Sequence, residues 1–361
     1  MKKIRVLLAG LMTASLLPFN AAFAAEKTSD MYIAEDLEPD KFAYEEMDDF
    51  MAADIIDGSV DKDGYVYVKP NGQITRAQFV KILVNALDLK SDASAKTFND
   101  VKSSDWFYPY VQTANSLGIV TGRPDGGFDP YEKIRRDQMA VMIHRAFKSS
   151  VTFKPVTKTF KDVPKGRFGY DEINAAAANG IITGYGDVFK PTALATRAQG
   201  IVMIHRALQQ QKSALPNEQE LQSFLRNHII AENRAAEVMN TDELVKLYNS
   251  NTTGYYRAMG LDSLEMYKDI YGDDVQMSMK ADEDFNVHTI SLSNNYVKLE
   301  VTDILYHLEI KFGKEGEGMK MDFDMSGEYS LKKDANGQWK IYNFIPYDEE
   351  LEDTPFLAVN H

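Results

Sequence analysis

The sequence predicts a multidomain chain: an all-α helical bundle built from three repeats, followed by an α+β domain with an antiparallel sheet. Two observations carry this. Short motifs recur at intervals of 60 to 62 residues through the first 210 positions, the mark of stacked supersecondary units. Beyond about residue 296 the apolar period changes from that of a helix to strict alternation, the mark of half-buried strands.

At 361 residues, 44% of them hydrophobic, the chain can bury two or three cores. It has no cysteine, which excludes a disulfide framework, a thiolate nucleophile and a Cys-ligated metal. The 54 acidic against 40 basic side chains argue against nucleic acid as a partner. Lys2, Lys3 and Arg5 precede an apolar run from Val6 to Phe19 and the small-x-small site Ala22-Phe23-Ala24. That order predicts a signal peptide over 1–24; the alternative is an anchor helix, for which the run is short and broken by Pro18. No later apolar run is long enough to span a membrane, so a secreted protein is expected.

The repeats are read as 45–90, 97–150 and 158–210, the first of them degenerate, after an acidic linker over 25–44. Phe98-Asn99-Asp100-Val101 recurs as Phe160-Lys161-Asp162-Val163. Leu117-Gly118-Ile119-Val120-Thr121-Gly122 recurs as Asn179-Gly180-Ile181-Ile182-Thr183-Gly184. Thr75-Arg76-Ala77-Gln78, Arg135-Arg136-Asp137-Gln138 and Thr196-Arg197-Ala198-Gln199 each open a helix whose apolar residues fall at helical spacing. The two threonine copies have capping-box form, while Arg135 stands where the second cap should be. Gly122 and Gly184 are expected to supply positive φ after the first helix of each unit. Repeat 1 shows no Phe-x-Asp-Val and no tryptophan over 45–90, and Asp54-Ile55-Ile56-Asp57-Gly58 replaces the glycine motif.

On these ordered motifs the region resembles the S-layer homology domains, wall-anchoring modules of bacterial surface proteins. The resemblance implies a pseudo-threefold bundle whose inter-repeat grooves bind secondary cell wall polymer, often with pyruvylated, carboxylate-bearing sugars. It points to Arg76, Arg136 and Arg197, with Thr75, Thr196, Gln78, Gln138, Gln199, Gly122, Gly184 and Trp106, as the polymer-binding set. Physical chemistry agrees with such a ligand: a carboxylate suits both a helix N-terminus and the arginine fork. The alternative is that each arginine pairs with an acid of a neighbouring repeat, such as Asp125 or Asp129. Since the chain and wall polymers are both acidic, recognition is expected to be local, not long-range.

A polar linker over 211–216 leads to a domain over 217–347 and a tail over 348–361. Leu221, Phe224, Leu225, Ile229 and Ile230 form a helical stripe; Val297, Leu299 and Val301, then Tyr306, Leu308 and Ile310, then Met319, Met321, Phe323 and Met325 alternate as strands of a meander. Asn336-Gly337 predicts a hairpin turn between Glu328–Lys333 and Trp339–Phe344. Helices before sheet, with the closing Asp334, Gly337, Trp339 and Ile341, resemble the NTF2-like, SnoaL-like cone. That fold hosts ligand binders, enzymes and self-associating modules. No cofactor or metal is expected and the chain is read as a non-enzyme. The alternative is a wall-tethered enzyme using His288, His307, Asp322 and Asp324 in the cone; these are expected to face solvent.

Overall fold

The computed structural model describes residues 27–270, 275–312 and 318–347. The expected signal peptide and tail lie outside them. Repeat 1 contributes helix α1 (Tyr44–Ala52), a small hairpin of β1 (Ser59–Val60) and β2 (Val66–Tyr67), and α2 (Arg76–Ala86). Repeat 2 contributes α3 (Tyr108–Ser116) and α4 (Arg136–Phe147), and repeat 3 contributes α5 (Tyr170–Ala178) and α6 (Arg197–Leu208). Helix α2 packs on α3 of the next repeat, α4 on α5, and α6 returns to α1. The second helices also meet each other at the centre. There Phe79 and Met139 are fully buried, and a Cβ on Gly200 would lie 3.1 Å from Met139 Cε and 3.3 Å from the Phe79 ring. One large, one medium and one absent side chain fill the same central layer.

Backbone hydrogen bonds close the repeats into a cycle. The Ile134 amide donates to the Ile74 carbonyl (3.0 Å), Ala195 to Ile134 (2.9 Å) and Ile74 to Ala195 (3.2 Å). Around this triangle, Ala77 donates to the carbonyl of Pro130, Asp137 to that of Pro191 and Ala198 to that of Pro70. Each proline loop thus caps the helix of a neighbouring repeat. The residue before each of these prolines, Lys69, Asp129 or Lys190, has φ near +55° to +58°, a conformation costly for residues with a Cβ. A half-buried clasp holds it: the Asp100 carboxylate accepts the Phe128 and Asp129 amides (2.8 and 2.7 Å), and Asp162 accepts those of Phe189 and Lys190 (2.8 and 2.7 Å).

Asp36 makes the same clasp in repeat 1, accepting from Val68 and Lys69 at 2.8 Å. Ala34-Glu35-Asp36-Leu37 therefore stands where the other repeats carry Phe-x-Asp-Val, and Ala34 and Leu37 pack against the core. Much of the stretch expected as an acidic linker is structural. It includes a 3₁₀ turn at Ser29–Tyr32 with both end residues buried, tied by the Ser29 amide to Asp262 and by the Tyr32 hydroxyl to Asp54. The glycine expectation also shifts by one motif position. Gly118 and Gly180, with Asp54 in repeat 1, supply the positive φ after the first helices. Gly122 does have φ +71°, but it and Gly184 are needed chiefly for close approach, since a Cβ would strike the Phe98 or Phe160 ring.

The second domain has α7 (Glu218–Glu237), α8 (Thr241–Asn251) and α9 (Gly254–Ile270), then β3 (Val275–Ala281), β4 (Asn286–Leu292), β5 (Tyr296–Thr302), β6 (Leu305–Phe312), β7 (Gly318–Asp324), β8 (Gly327–Lys333) and β9 (Trp339–Pro346). The strands do not form a meander. They form two antiparallel sheets, ordered β3-β6-β7 and β4-β5-β8-β9. The Asn336-Gly337 hairpin is present, with Asp334 Oδ1 accepting the Asn336 and Gln338 amides.

The two regions are docked. Tyr296 and Tyr342 belong to the core of the repeats; Tyr296 donates to the Ala86 carbonyl (2.7 Å) and Tyr342 to Asp49 (2.7 Å). Asp49 also lies 3.2 Å from His205 Nε2. Burial works to raise the Asp49 carboxyl, but His205, Tyr342 and Lys298 outweigh it and hold it below the ordinary carboxylate range. Residues 211–216, expected as a linker, are pinned as well: Gln211 donates to Ser150 Oγ (2.8 Å) and the Ala214 amide to Asn294 (2.9 Å).

If Asp36 is a clasp of equal standing, Asp36→Ala should destabilise the protein as Asp100→Ala and Asp162→Ala do, by about 3 kcal/mol for two bonds to a charged group. Urea unfolding midpoints measure this. A change under about 0.5 kcal/mol at Asp36, typical of a solvated surface site, would restore the linker reading.

Candidate functional site

The sequence-predicted residues gather at the joints between repeats. Arg76, Arg136 and Arg197 each occupy the first position of their helix. Their guanidinium groups reach across to the neighbouring repeat. Arg76 Nε donates to the Phe128 carbonyl (2.8 Å) and lies over the Phe128 ring. Arg136 donates to the carbonyls of Phe189 (3.0 Å) and Thr183 (3.2 Å) and lies over Phe189 and Tyr185. Arg197 donates to the Asp57 carbonyl (2.9 Å), and its Nε is buried without a partner. Arg76 and Arg136 are buried, and burial pushes all three guanidinium groups down from arginine's ordinary value.

These are joint clasps before they are open forks. Neither reading from sequence fits fully: the arginines bond backbone carbonyls, whereas Asp125 and Asp129 are held by Arg123 (2.6 and 2.5 Å). The helix N-termini are also occupied. The first two amides of each helix go to a neighbouring loop, as with Arg76 to Glu132 and Ala77 to Pro130. The third goes to the cap where there is one: Gln78 to Thr75 Oγ1 and Gln199 to Thr196 Oγ1, both 3.2 Å. Gln78, Gln138 and Gln199 return the bond to the cap amide in all three repeats. The threonine half is missing at Arg135, as the sequence indicated.

Trp106 is half exposed, with its edge against Phe107 (ring centroids 5.3 Å), and Phe107 meets the exposed Tyr131 in the same way (5.5 Å). Tyr131 adjoins Pro130, whose carbonyl takes the Ala77 amide, so this aromatic lip belongs to the joint of repeats 1 and 2. Phe42 and Phe168 stand at the same offset before their helices and are 63% and 54% exposed. Sequence reasoning missed Phe42 because it began repeat 1 at residue 45.

The joint of repeats 2 and 3 differs in charge. Asp137, buried where the other repeats have alanine, accepts from Arg135 (3.0 and 3.3 Å) and lies 3.7 Å from Arg167. Both arginines are partly exposed, and Arg167 Nε is buried without a partner. Two arginines therefore flank one buried carboxylate.

In the second domain, His307 is exposed between Asp322 (2.8 Å) and Asp282 (3.4 Å); the Asp322 bond holds it above the ordinary imidazole range. His288 is exposed on β4 and Asp324 caps the Ser326 amide. The structure does not gather these four into one site. It instead forms a cavity of about 130 Å³ between the helices and the sheets, with Glu232, Tyr248, Tyr256, Met259 and Tyr329 in its wall. Behind Glu232 sits the buried His228, one helical turn away. Sequence reading missed this pair; its signal was the His228-x-x-x-Glu232 spacing on one face of α7.

The S-layer homology domain family matches residues 97–140 and 159–199. Among curated relatives, an uncharacterized cell wall amidase of Bacillus anthracis is 33% identical over 137 residues, 37% of this chain and 25% of the relative. An S-layer protein of the same organism is 30% identical over 38% of this chain and 17% of its own length. A cellulosome-anchoring protein of Acetivibrio thermocellus is 30% identical over 39% of this chain and 33% of its own. The chain thus spans a third or less of these relatives. No helix among the described residues is long and apolar enough to cross a membrane.

The clasp role predicts that Arg136→Ala lowers stability by about 3 kcal/mol, from two bonds made by a charged donor. Arg123→Ala, which breaks exposed and solvent-screened ion pairs, should cost far less. Thermal or urea unfolding of both variants checks this, and equal effects would refute it. Two of the three repeats match the S-layer homology domain family, and with the relatives this puts the chain at the cell surface, associated with the cell wall.

Proposed function

We propose that the repeats hold the chain noncovalently on the wall by binding an acidic, carboxylate-bearing secondary cell wall polymer, and that the second domain is displayed as a ligand-binding module. The cyclic hydrogen bonds support a pseudo-threefold bundle with three joints. The observation that carries the reading is the recurrence, once per repeat, of an arginine opening the second helix and reaching across a joint, and of an exposed aromatic two residues before the first helix: Phe42, Trp106 and Phe168 offer faces for sugar stacking. A guanidinium has five donors. The described bonds use one at Arg76, two at Arg136 and one at Arg197, so donors remain for a carboxylate. The joint of repeats 2 and 3 is the strongest site, because Arg135 and Arg167 add exposed positive charge in an otherwise acidic chain. Engaging two joints on one polymer raises avidity through effective concentration.

The test is a pull-down on purified sacculi, intact or stripped of wall polymer with hydrofluoric acid. The protein should bind intact sacculi only. Arg135→Ala with Arg167→Ala, compared with an Asp137→Ala parent so that no buried carboxylate loses its partners, should weaken binding about tenfold, the loss of one charge-assisted contact, with unfolding temperature little changed from that parent. Equal binding to stripped sacculi, or undiminished binding by the double variant, would refute the polymer site.

A further inference from the structure

The cavity of the second domain has a chemistry that wall attachment does not use. Glu232 lines the cavity and keeps 18% of its side-chain surface accessible. Tyr256 donates to Oε2 at 2.8 Å. His228 Nε2 lies 3.4 Å from the same oxygen, and Asn251 Nδ2 lies 3.4 Å from His228 Nδ1. Burial works to raise the Glu232 carboxyl, but His228, Tyr248 and Tyr256 outweigh it and hold it below the ordinary range. The carboxylate is thus held in its ionised form, with the neutral Tyr256 hydroxyl as a donor to it.

The rest of the wall is aromatic and thioether. Tyr329 packs against Phe344 (centroids 4.4 Å) and Tyr256 (6.1 Å), and Tyr306 stacks on Phe323 (5.6 Å). Ring faces attract cations, and methionines adapt to an irregular apolar body. A volume of about 130 Å³ sets the size, since an engineered apolar cavity of about 150 Å³ holds benzene.

We propose that this cavity binds a small organic cation, a protonated amine on a ring-sized apolar body, with Glu232 as its counter-ion. The inference rests on reading this domain as a ligand binder and is independent of the wall polymer. An anion would meet an ionised carboxylate, and a neutral ring would bring it no counter-charge.

The experiment titrates the full chain with benzylamine, benzyl alcohol and benzoate near neutral pH, by calorimetry and ligand-observed NMR. Benzylamine should bind saturably. Benzyl alcohol, and benzylamine with Glu232→Gln, should bind about tenfold more weakly or worse, and benzoate not at all. A second variant, Met259→Phe, fills the cavity and should lower benzylamine binding as much while circular dichroism stays unchanged; it carries the test if Glu232→Gln fails to fold. Benzyl alcohol binding as tightly as benzylamine would keep a ligand pocket and overturn the cation. No saturable binding by any of the three at millimolar concentration, or undiminished binding by either folded variant, would overturn the proposal outright.

Discussion

Three backbone hydrogen bonds, Ile134 to Ile74, Ala195 to Ile134 and Ile74 to Ala195, tie the repeats into a closed cycle. A single helix–loop–helix unit cannot bury its apolar face, and a row of such units would leave two ends exposed. Closure removes both ends. It also dictates local detail that looks unrelated: the left-handed residue before each proline, the aspartate that clasps it, and the glycine at position 200 that leaves room for Phe79 and Met139.

Closure also governs the functional chemistry. A helix N-terminus is by itself a good anion site, but here its first amides are bonded to a neighbouring loop and the arginine reaches the neighbouring backbone. What a ligand can use is what the joint leaves over: spare guanidinium donors, exposed aromatic faces, and the extra arginines around Asp137. The three joints are therefore unequal, although their skeletons match. Repeat 1 differs most in sequence and yet keeps the clasp, which shows that the geometry tolerates Ala34 and Leu37 in place of Phe and Val as long as the carboxylate of Asp36 remains.

The repeats were legible because each motif has a local mechanism. Capping boxes, helical stripes and post-helical glycines are written in neighbouring residues. The start of repeat 1 was not legible, since eleven acids and one base between Asp30 and Asp57 resemble a solvated tether, and only the contact from Asp36 to Lys69, 33 residues on, reveals otherwise. The direction of the arginines was hidden for the same reason: a residue's place on its helix follows from spacing, but its partner across a joint does not. In the second domain β5 to β9 could be read from alternation, while β3 and β4 were not separated in advance. The pairing of β5 with β8 instead of β6 is a long-range choice. The His228–Glu232 pair looked like ordinary helix because its meaning depends on the cavity that Tyr256 and Tyr329 enclose.

Docking through Asp49, Tyr296 and Tyr342 ties the second domain, which keeps a core of its own, to the framework of the repeats. That framework stands or falls with the cycle. The most direct measurement is native-state hydrogen exchange of the Ile74, Ile134 and Ala195 amides. The closed cycle predicts that all three exchange only through the same large opening, with equal free energies close to that of global unfolding. Exchange of Ile74 at a markedly lower free energy than the other two would mean that repeat 1 is not locked in, and would contradict the cycle.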